Sequence, residues 1–201
     1  MGGNRVIEFS GIKICLNEFT YEPAEDTKIL LDMINVKLNE KVIDLGSGSG
    51  ILGIKALLSG GKVIFIDINP YATEATLCSL RINKLDGEII NCDLLSCLRE
   101  YKFDTIIFNP PYLPYSELSN WLGYSWSGGK GGIEVIERFL MSANSKRIYL
   151  VYSTLSDYEK VERILNYKGY NIIKKREVTI GFETIIGIEA VKDDKSNLSR
   201  T

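Results

Sequence analysis

Asn109-Pro110-Pro111-Tyr112 closes the apolar run Thr105-Ile106-Ile107-Phe108, and the glycine-rich Asp44-Leu45-Gly46-Ser47-Gly48-Ser49-Gly50 lies upstream of it. The pairing suits methyl transfer onto a planar amide or amine nitrogen. An amide nitrogen delocalises its lone pair into the carbonyl and attacks poorly unless acceptors hold both its hydrogens. Asn109 Oδ1 and the Pro110 carbonyl are the candidate acceptors. Pro110 drives Asn109 into extended backbone and both prolines fix φ, so the acceptors stand in place before substrate arrives. Tyr112 adds an aromatic wall. The same residues also read as a rigid turn after a buried strand, since Asn-Pro is a common turn starter. The glycine-rich segment favours the chemical reading, because ligands of open α/β sheets bind beyond neighbouring strand ends.

Gly48-Ser49-Gly50-Ile51-Leu52-Gly53 matches the dinucleotide fingerprint in form. The residue upstream argues against a dinucleotide. Asp44 would repel a pyrophosphate, yet it suits the ammonium group of S-adenosylmethionine, while Gly46 and Gly48 let backbone approach the ligand closely. Asp67 ends the next strand, where an acid accepts both ribose hydroxyls; it also reads as the helix N-cap of Asp67-Ile68-Asn69-Pro70. Asp93 follows a third strand and can take the adenine amino group, with Leu94 packed on the ring, or can be a plain cap. Thr27, in Tyr21-Glu22-Pro23-Ala24-Glu25-Asp26-Thr27, is the candidate for holding the methionine carboxylate at a helix N-terminus, although an acid-rich helix start needs no ligand to explain it.

The chain contains no histidine, which removes Ser/His and Cys/His nucleophilic sites, any imidazole base and the usual zinc constellations. Methyl transfer from a sulfonium fits that restriction, since the leaving group needs no protonation and positioning dominates. Cys15, Cys78, Cys92 and Cys97 form no Cys-x-x-Cys pair and read as reduced, mostly core thiols, with no metal site expected. A net charge of -2 argues against gripping duplex DNA through a basic surface, and Lys146-Arg147 and Lys174-Lys175-Arg176 read as solvated faces. Neither a membrane-length apolar run nor a leader is apparent, so a cytoplasmic location is expected.

These residues require a sheet with strand ends in register. Val6–Phe9 and Ile12–Leu16 flank Ser10-Gly11 and predict a hairpin, and the spacing of Ile29, Leu30, Met33 and Ile34 predicts a helix over Ala24–Val36. Strands and helices then alternate: Lys41–Leu45, Ile51–Leu58, Val63–Ile66, Ala72–Asn83, Glu88–Cys92, a short helix near Leu95–Arg99, and Phe103–Phe108. Such alternation with apolar strands predicts a parallel sheet covered on both faces. A helix at Ile133–Met141, a strand at Arg147–Tyr152, a helix at Asp157–Tyr167 and a hairpin of Tyr170–Thr179 with Glu183–Val191 complete the pattern. One domain over 1–191 is expected, with 1–40 as its lead-in and 192–201 as a disordered tail.

Taken together, Tyr21–Thr27, Asp44–Gly50, Asn109–Tyr112 and Trp126-Ser127-Gly128-Gly129-Lys130-Gly131-Gly132 followed by Glu134–Phe139 resemble the HemK-like protein glutamine methyltransferases, in their short archaeal and eukaryotic branch. The resemblance covers most of the chain; its second and third motifs occur in many methyltransferases, so the first and fourth carry the specificity. It implies an α/β class I S-adenosylmethionine-dependent methyltransferase fold, Rossmann-like, with a mostly parallel seven-stranded sheet and a C-terminal antiparallel hairpin. It also implies methylation of the glutamine side-chain nitrogen in the Gly-Gly-Gln motif of a class 1 peptide-chain release factor. By position, Thr27, Asp44, Gly46, Gly48, Asp67, Asp93, Leu94 and Asn109 would contact the cofactor, while Asn109, Pro110, Pro111 and Tyr112 would hold the substrate amide.

Two features depart from the long bacterial members. The lead-in to Asp44 leaves no room for their helical domain, and Gly131 stands where they often have Asp. Recognition then falls to the loop Leu113–Gly132, to the N-terminal hairpin, or to a small zinc-binding activator protein like those that pair with the short branch. Glu88–Cys92, expected at a sheet edge, is the candidate docking strand. The alternatives are an amino-methyltransferase of nucleic acid acting on adenine N6 or guanine N2 of a flipped base, a methyltransferase of another protein side chain such as lysine, and a binding module without turnover.

Overall fold

The computed structural model describes residues 4–98, 102–114, 121–125, 127–129 and 131–193. An antiparallel hairpin of β1 (Arg5–Phe9) and β2 (Ile12–Leu16) comes first, turned by Ser10-Gly11 with both residues at positive φ. The helix α1 (Glu25–Met33) follows, with Glu25 and Asp26 in its first turn facing the positive end of the helix dipole. It stops three residues before the expected Val36, because Ile34 already has extended backbone.

The main sheet is built from β3 (Lys41–Leu45), β4 (Lys62–Asp67), β5 (Glu88–Asn91), β6 (Phe103–Phe108), β7 (Ser145–Ser153), β8 (Tyr170–Ile180) and β9 (Glu183–Lys192). Their spatial order is β5-β4-β3-β6-β7-β9-β8, with the first five parallel and β9 antiparallel to both β7 and β8. This is the expected architecture, and β5 forms one sheet edge as expected. The crossovers carry α2 (Ile51–Leu58), α3 (Pro70–Ile82), the single turn α4 (Trp121–Tyr124), α5 (Glu134–Ser142) and α6 (Tyr158–Tyr167). Among the described residues no helix is long and apolar enough to cross a membrane.

Period-two alternation divides the core between the two sheet faces. Val42, Ile107, Tyr149 and Val151 point to the layer of α1, α2 and the N-terminal hairpin. Ile43, Leu45, Ile106, Phe108, Ile148 and Leu150 point to the layer of α5 and α6, where Phe108 meets Phe139 edge to face at 5.0 Å between ring centroids. Parallel strands in register bring Asp44, Asp67, Asn91 and Phe108 to one end of the sheet, and the functional loops leave from there.

Three expectations need correction. No helix forms over the described part of 95–99: Leu94 adopts φ +50° and the Cys97 N–H bonds the Cys92 sulfur at 3.1 Å, so the segment closes as turns. Cys15 and Cys78 are not free core thiols but form a disulfide, joining β2 to α3; Cys92 is half-buried and Cys97 exposed. The α3 cap is Asn69, whose Oδ1 accepts from the Tyr71 N–H at 3.0 Å ahead of Pro70, so Asp67 is not the cap. The four-residue α4 was not expected at all. The expected disordered tail lies, from 194 onward, outside the described residues; β9 itself runs to Lys192.

Candidate active site

A cavity of about 560 Å³ opens over the carboxyl ends of the parallel strands. Thr27, Gly46, Gly48, Asp67, Asp93, Leu94 and the whole of Asn109–Tyr112 line it, so every candidate residue read from the sequence reaches it except Asp44. Gly46 adopts φ +62°, and a Cβ there would stand 3.1 Å from the Phe108 ring. The cavity floor therefore depends on bare backbone.

Asp44 lies beneath that floor. Its Oδ2 accepts the Gly53 N–H at 2.8 Å, in the first turn of α2, whose N-cap Gly50 has no side chain to offer. Through Oδ2 it braces the helix start and the glycine loop. Asp44 Oδ1 is buried with no hydrogen-bond partner among the described residues, and burial pushes the carboxyl well above its ordinary value, helped by the nearby Asp67 charge. The packing here has no slack, since a Cβ on Gly53 would come within 2.2 Å of the Phe65 ring.

Asp67 Oδ2 accepts the Gly48 N–H at 2.9 Å and Oδ1 accepts the Asn69 N–H at 2.8 Å, which fixes the carboxylate at the cavity wall. Burial raises its pKa, opposed by those N–H bonds. Across the cavity, Asp93 is held by Arg138 of α5 at 2.5 Å, and Leu94 presents its side chain from a left-handed backbone. Arg138 was not singled out from sequence.

The Asn109 amide is oriented by its neighbours. Nδ2 donates to Asp26 Oδ2 at 3.1 Å and to Thr27 Oγ1 at 3.3 Å. A carboxylate only accepts, so the nitrogen must face Asp26 and the oxygen must face away. Asn109 Oδ1 is left buried with no hydrogen-bond partner among the described residues. An orphaned buried acceptor costs about 1–3 kcal/mol, the expected price of an acceptor waiting for a donor.

Asp26 is the residue that reading the sequence missed. It is 4% exposed, and its carboxylate also takes the Tyr21 hydroxyl at 3.1 Å, the Tyr112 hydroxyl at 3.3 Å and the Thr27 N–H at 2.6 Å. Burial first, and Asp26 second, push both tyrosine hydroxyls above the ordinary phenol range, so they remain donors. An acid in the first turn of a helix has an ordinary explanation in the helix dipole, and that explanation hid this role. The loop after Tyr112 is closed by Gly128 N–H bonding the Leu113 carbonyl at 2.8 Å, while Trp121, Ser125 and Ser127 border the cavity.

Residues 22–121 match the family described as the methyltransferase small domain. A candidate protein N5-glutamine methyltransferase from Methanocaldococcus jannaschii is 32% identical over 195 residues, covering 92% of this chain and 98% of that protein. The chain belongs to the protein N5-glutamine methyltransferase family. The human methyltransferase HEMK2 is 32% identical over 192 residues, covering 86% of this chain and 89% of its own. Among solved structures, the E. cuniculi Mtq2–Trm112 complex, responsible for methylation of the eRF1 translation termination factor, matches with a TM-score of 0.71 and 29% identity, covering 87% of this chain and 99% of that chain. The methyltransferase is an S-adenosylmethionine-dependent enzyme of class I fold, and its cavity, with glycine backbone packed against Phe108 at Gly46 and the carboxylates of Asp67 and Asp93 on its walls, has a donor set that suits that cofactor.

Proposed function

We propose that this methyltransferase modifies the side-chain amide nitrogen of the glutamine in the Gly-Gly-Gln motif of a class 1 release factor. The observation that carries the reading is Asn109 Oδ1, buried and unpartnered among the described residues while its own amide nitrogen is pinned by Asp26 and Thr27. S-adenosylmethionine, when bound, supplies a methyl group on a sulfonium that an in-line nucleophile can take without proton donation to the leaving group. The protein's part is to place and sharpen that nucleophile. Asn109 Oδ1 and the Pro110 carbonyl accept the two hydrogens of the glutamine amide, drawing electron density onto its nitrogen; once the nitrogen has taken the methyl group, one of those hydrogens leaves as a proton to water, and the Tyr112 ring limits where the amide plane can lie. Thr27, Gly46, Gly48, Asp67, Asp93 and Leu94 hold the donor, and Asp44 acts through the loop it braces.

We further infer that the enzyme works in the cytoplasm as a heterodimer with a small zinc-binding activator. The supporting feature is β5, an edge strand whose Ile89 and Ile90 are half-buried and whose outer backbone groups have no strand beside them among the described residues. Co-expression with the activator is expected to raise soluble yield; unchanged yield with a monomeric mass would count against the heterodimer.

The decisive experiment uses labelled S-adenosylmethionine with purified release factor, with and without the activator, beside a release factor whose Gly-Gly-Gln is changed to Gly-Gly-Ala. Label confined to the intact motif is the expected result. Label on nucleic acid, or on lysine of another protein, would keep the cofactor and overturn the substrate.

A further inference from the structure

A second cavity of about 450 Å³ adjoins the first, and Thr20 and Tyr21 line both. Its outer wall carries Arg5 from β1, Glu18 and Glu22, and Leu122 of α4 closes the other side. The N-terminal hairpin and α4 therefore meet here.

The shared wall is tied together by hydrogen bonds. Asn17 Oδ1 accepts the Phe19 N–H at 3.0 Å and the Thr20 hydroxyl at 2.7 Å, and Asn69 Nδ2 donates to the Phe19 carbonyl at 2.8 Å. The Phe19 ring packs on Tyr71 with centroids 4.5 Å apart. Tyr21 then ties the wall to the clamp, because its hydroxyl donates to the same Asp26 that orients Asn109.

We propose that this second cavity receives the polypeptide flanking the methyl-accepting glutamine, bound as an extended chain; the proposal rests on reading the site as a protein glutamine methyltransferase. A glutamine whose amide reaches Asn109 leaves its main chain outside the first cavity, and that chain must continue across the enzyme surface. Extended backbone exposes N–H and C=O groups in alternation, and each needs a partner when covered. Arg5 and Glu22, an exposed ion pair at the rim, together with Glu18, offer donors and acceptors for them, while Leu122 and Tyr21 cover apolar surface. Flanking glycines suit such a site, since they add no side chain between the two backbones. The charged lining residues are one Arg and two Glu, an acidic balance that disfavours a phosphate backbone.

The test is steady-state methylation of purified class 1 release factor by the wild-type enzyme with its activator and by Arg5→Glu, Glu18→Lys and Leu122→Asp, each checked for an unchanged melting temperature. The expected result is a KM for release factor raised about tenfold or more in at least the Arg5 and Leu122 variants, about 1.4 kcal/mol per tenfold. Saturating turnover and the KM for S-adenosylmethionine stay near wild type, a split that a damaged clamp would not produce. Labelled glutamine with an unchanged release-factor KM in all variants overturns this inference alone. A wild-type enzyme that leaves the glutamine unlabelled overturns the inference and the proposed function together.

Discussion

Asn109 Nδ2 donates to Asp26 Oδ2 at 3.1 Å across 83 residues of sequence, and this single bond sets which end of the Asn109 amide faces the cavity. Without it the amide could turn over and present a donor where an acceptor is needed. Asn109→Ala is therefore expected to lower kcat by about 100-fold or more, as for loss of a preorganised polar group at a reacting centre, with donor binding largely intact. Asp26→Asn keeps the shape but permits the flip, and a loss of about tenfold in kcat is expected. Calorimetry with S-adenosylmethionine beside single-turnover kinetics checks both; equal loss of binding and turnover in Asn109→Ala would remove the role assigned to that residue.

Much of this site was legible because its signals are local. Pro110 and Pro111 constrain their own backbone, and the alternation of apolar strands with helices placed Asp67, Asp93 and Asn109 at strand ends without any tertiary information. What escaped was set by partners distant in sequence. Asp44 points beneath the loop because α2 has a glycine N-cap and its Gly53 N–H needed an acceptor. The turn at 93–98 replaced a helix because the Cys92 sulfur captured the Cys97 N–H. Asp26 gained its role from Tyr21, Asn109 and Tyr112 jointly, a meeting that no spacing within Tyr21–Thr27 announces.

Asp44 should make stability depend on pH in a definite sense. Its carboxyl, and that of Asp67, are raised in the folded state by burial, so between the ordinary carboxylate value and the raised one the native protein holds protons that the unfolded chain has lost. Stability then falls as pH rises through that window. Asp44→Asn removes the buried charge and is expected to melt a few degrees above wild type in mildly alkaline buffer without ligand, with the gap closing in acid; about 1 kcal/mol corresponds to roughly 2–4 °C for a chain of this size. A gap that does not change with pH would show that the carboxylate is not penalised.

Arg138 and Asp93 define a second test at the opposite wall. The guanidinium holds one carboxylate oxygen of Asp93 at 2.5 Å, which leaves the other to meet an amino group in the cavity. Arg138→Ala is expected to raise the Kd for S-adenosylmethionine a few-fold with little change in saturating kcat, and Asp93→Ala to raise it further. Tighter binding in Arg138→Ala would instead mean that the arginine competes with the cofactor for Asp93.

The disulfide between Cys15 and Cys78 pins the N-terminal hairpin to α3, whose N-terminal cap Asn69 also holds the Phe19 carbonyl, so the wall of the second cavity depends on the same junction. Closing a loop with a sequence separation of 63 restricts the unfolded chain by up to about 4 kcal/mol in the chain-entropy model. Reduction, or Cys78→Ser, is accordingly expected to lower the melting temperature by several degrees while leaving the Cys15 N–H bonded to Ser79 Oγ, so that the fold survives. Thiol titration of protein denatured without reductant distinguishes the cross-linked chain from the reduced one: two reactive thiols, Cys92 and Cys97, are expected, and four would mean that the bond is absent. If the junction also supports substrate docking, reduction should raise the KM for release factor more than it changes the KM for S-adenosylmethionine, because Asn109, Asp67 and Asp93 are all positioned by elements on the main sheet rather than by the hairpin.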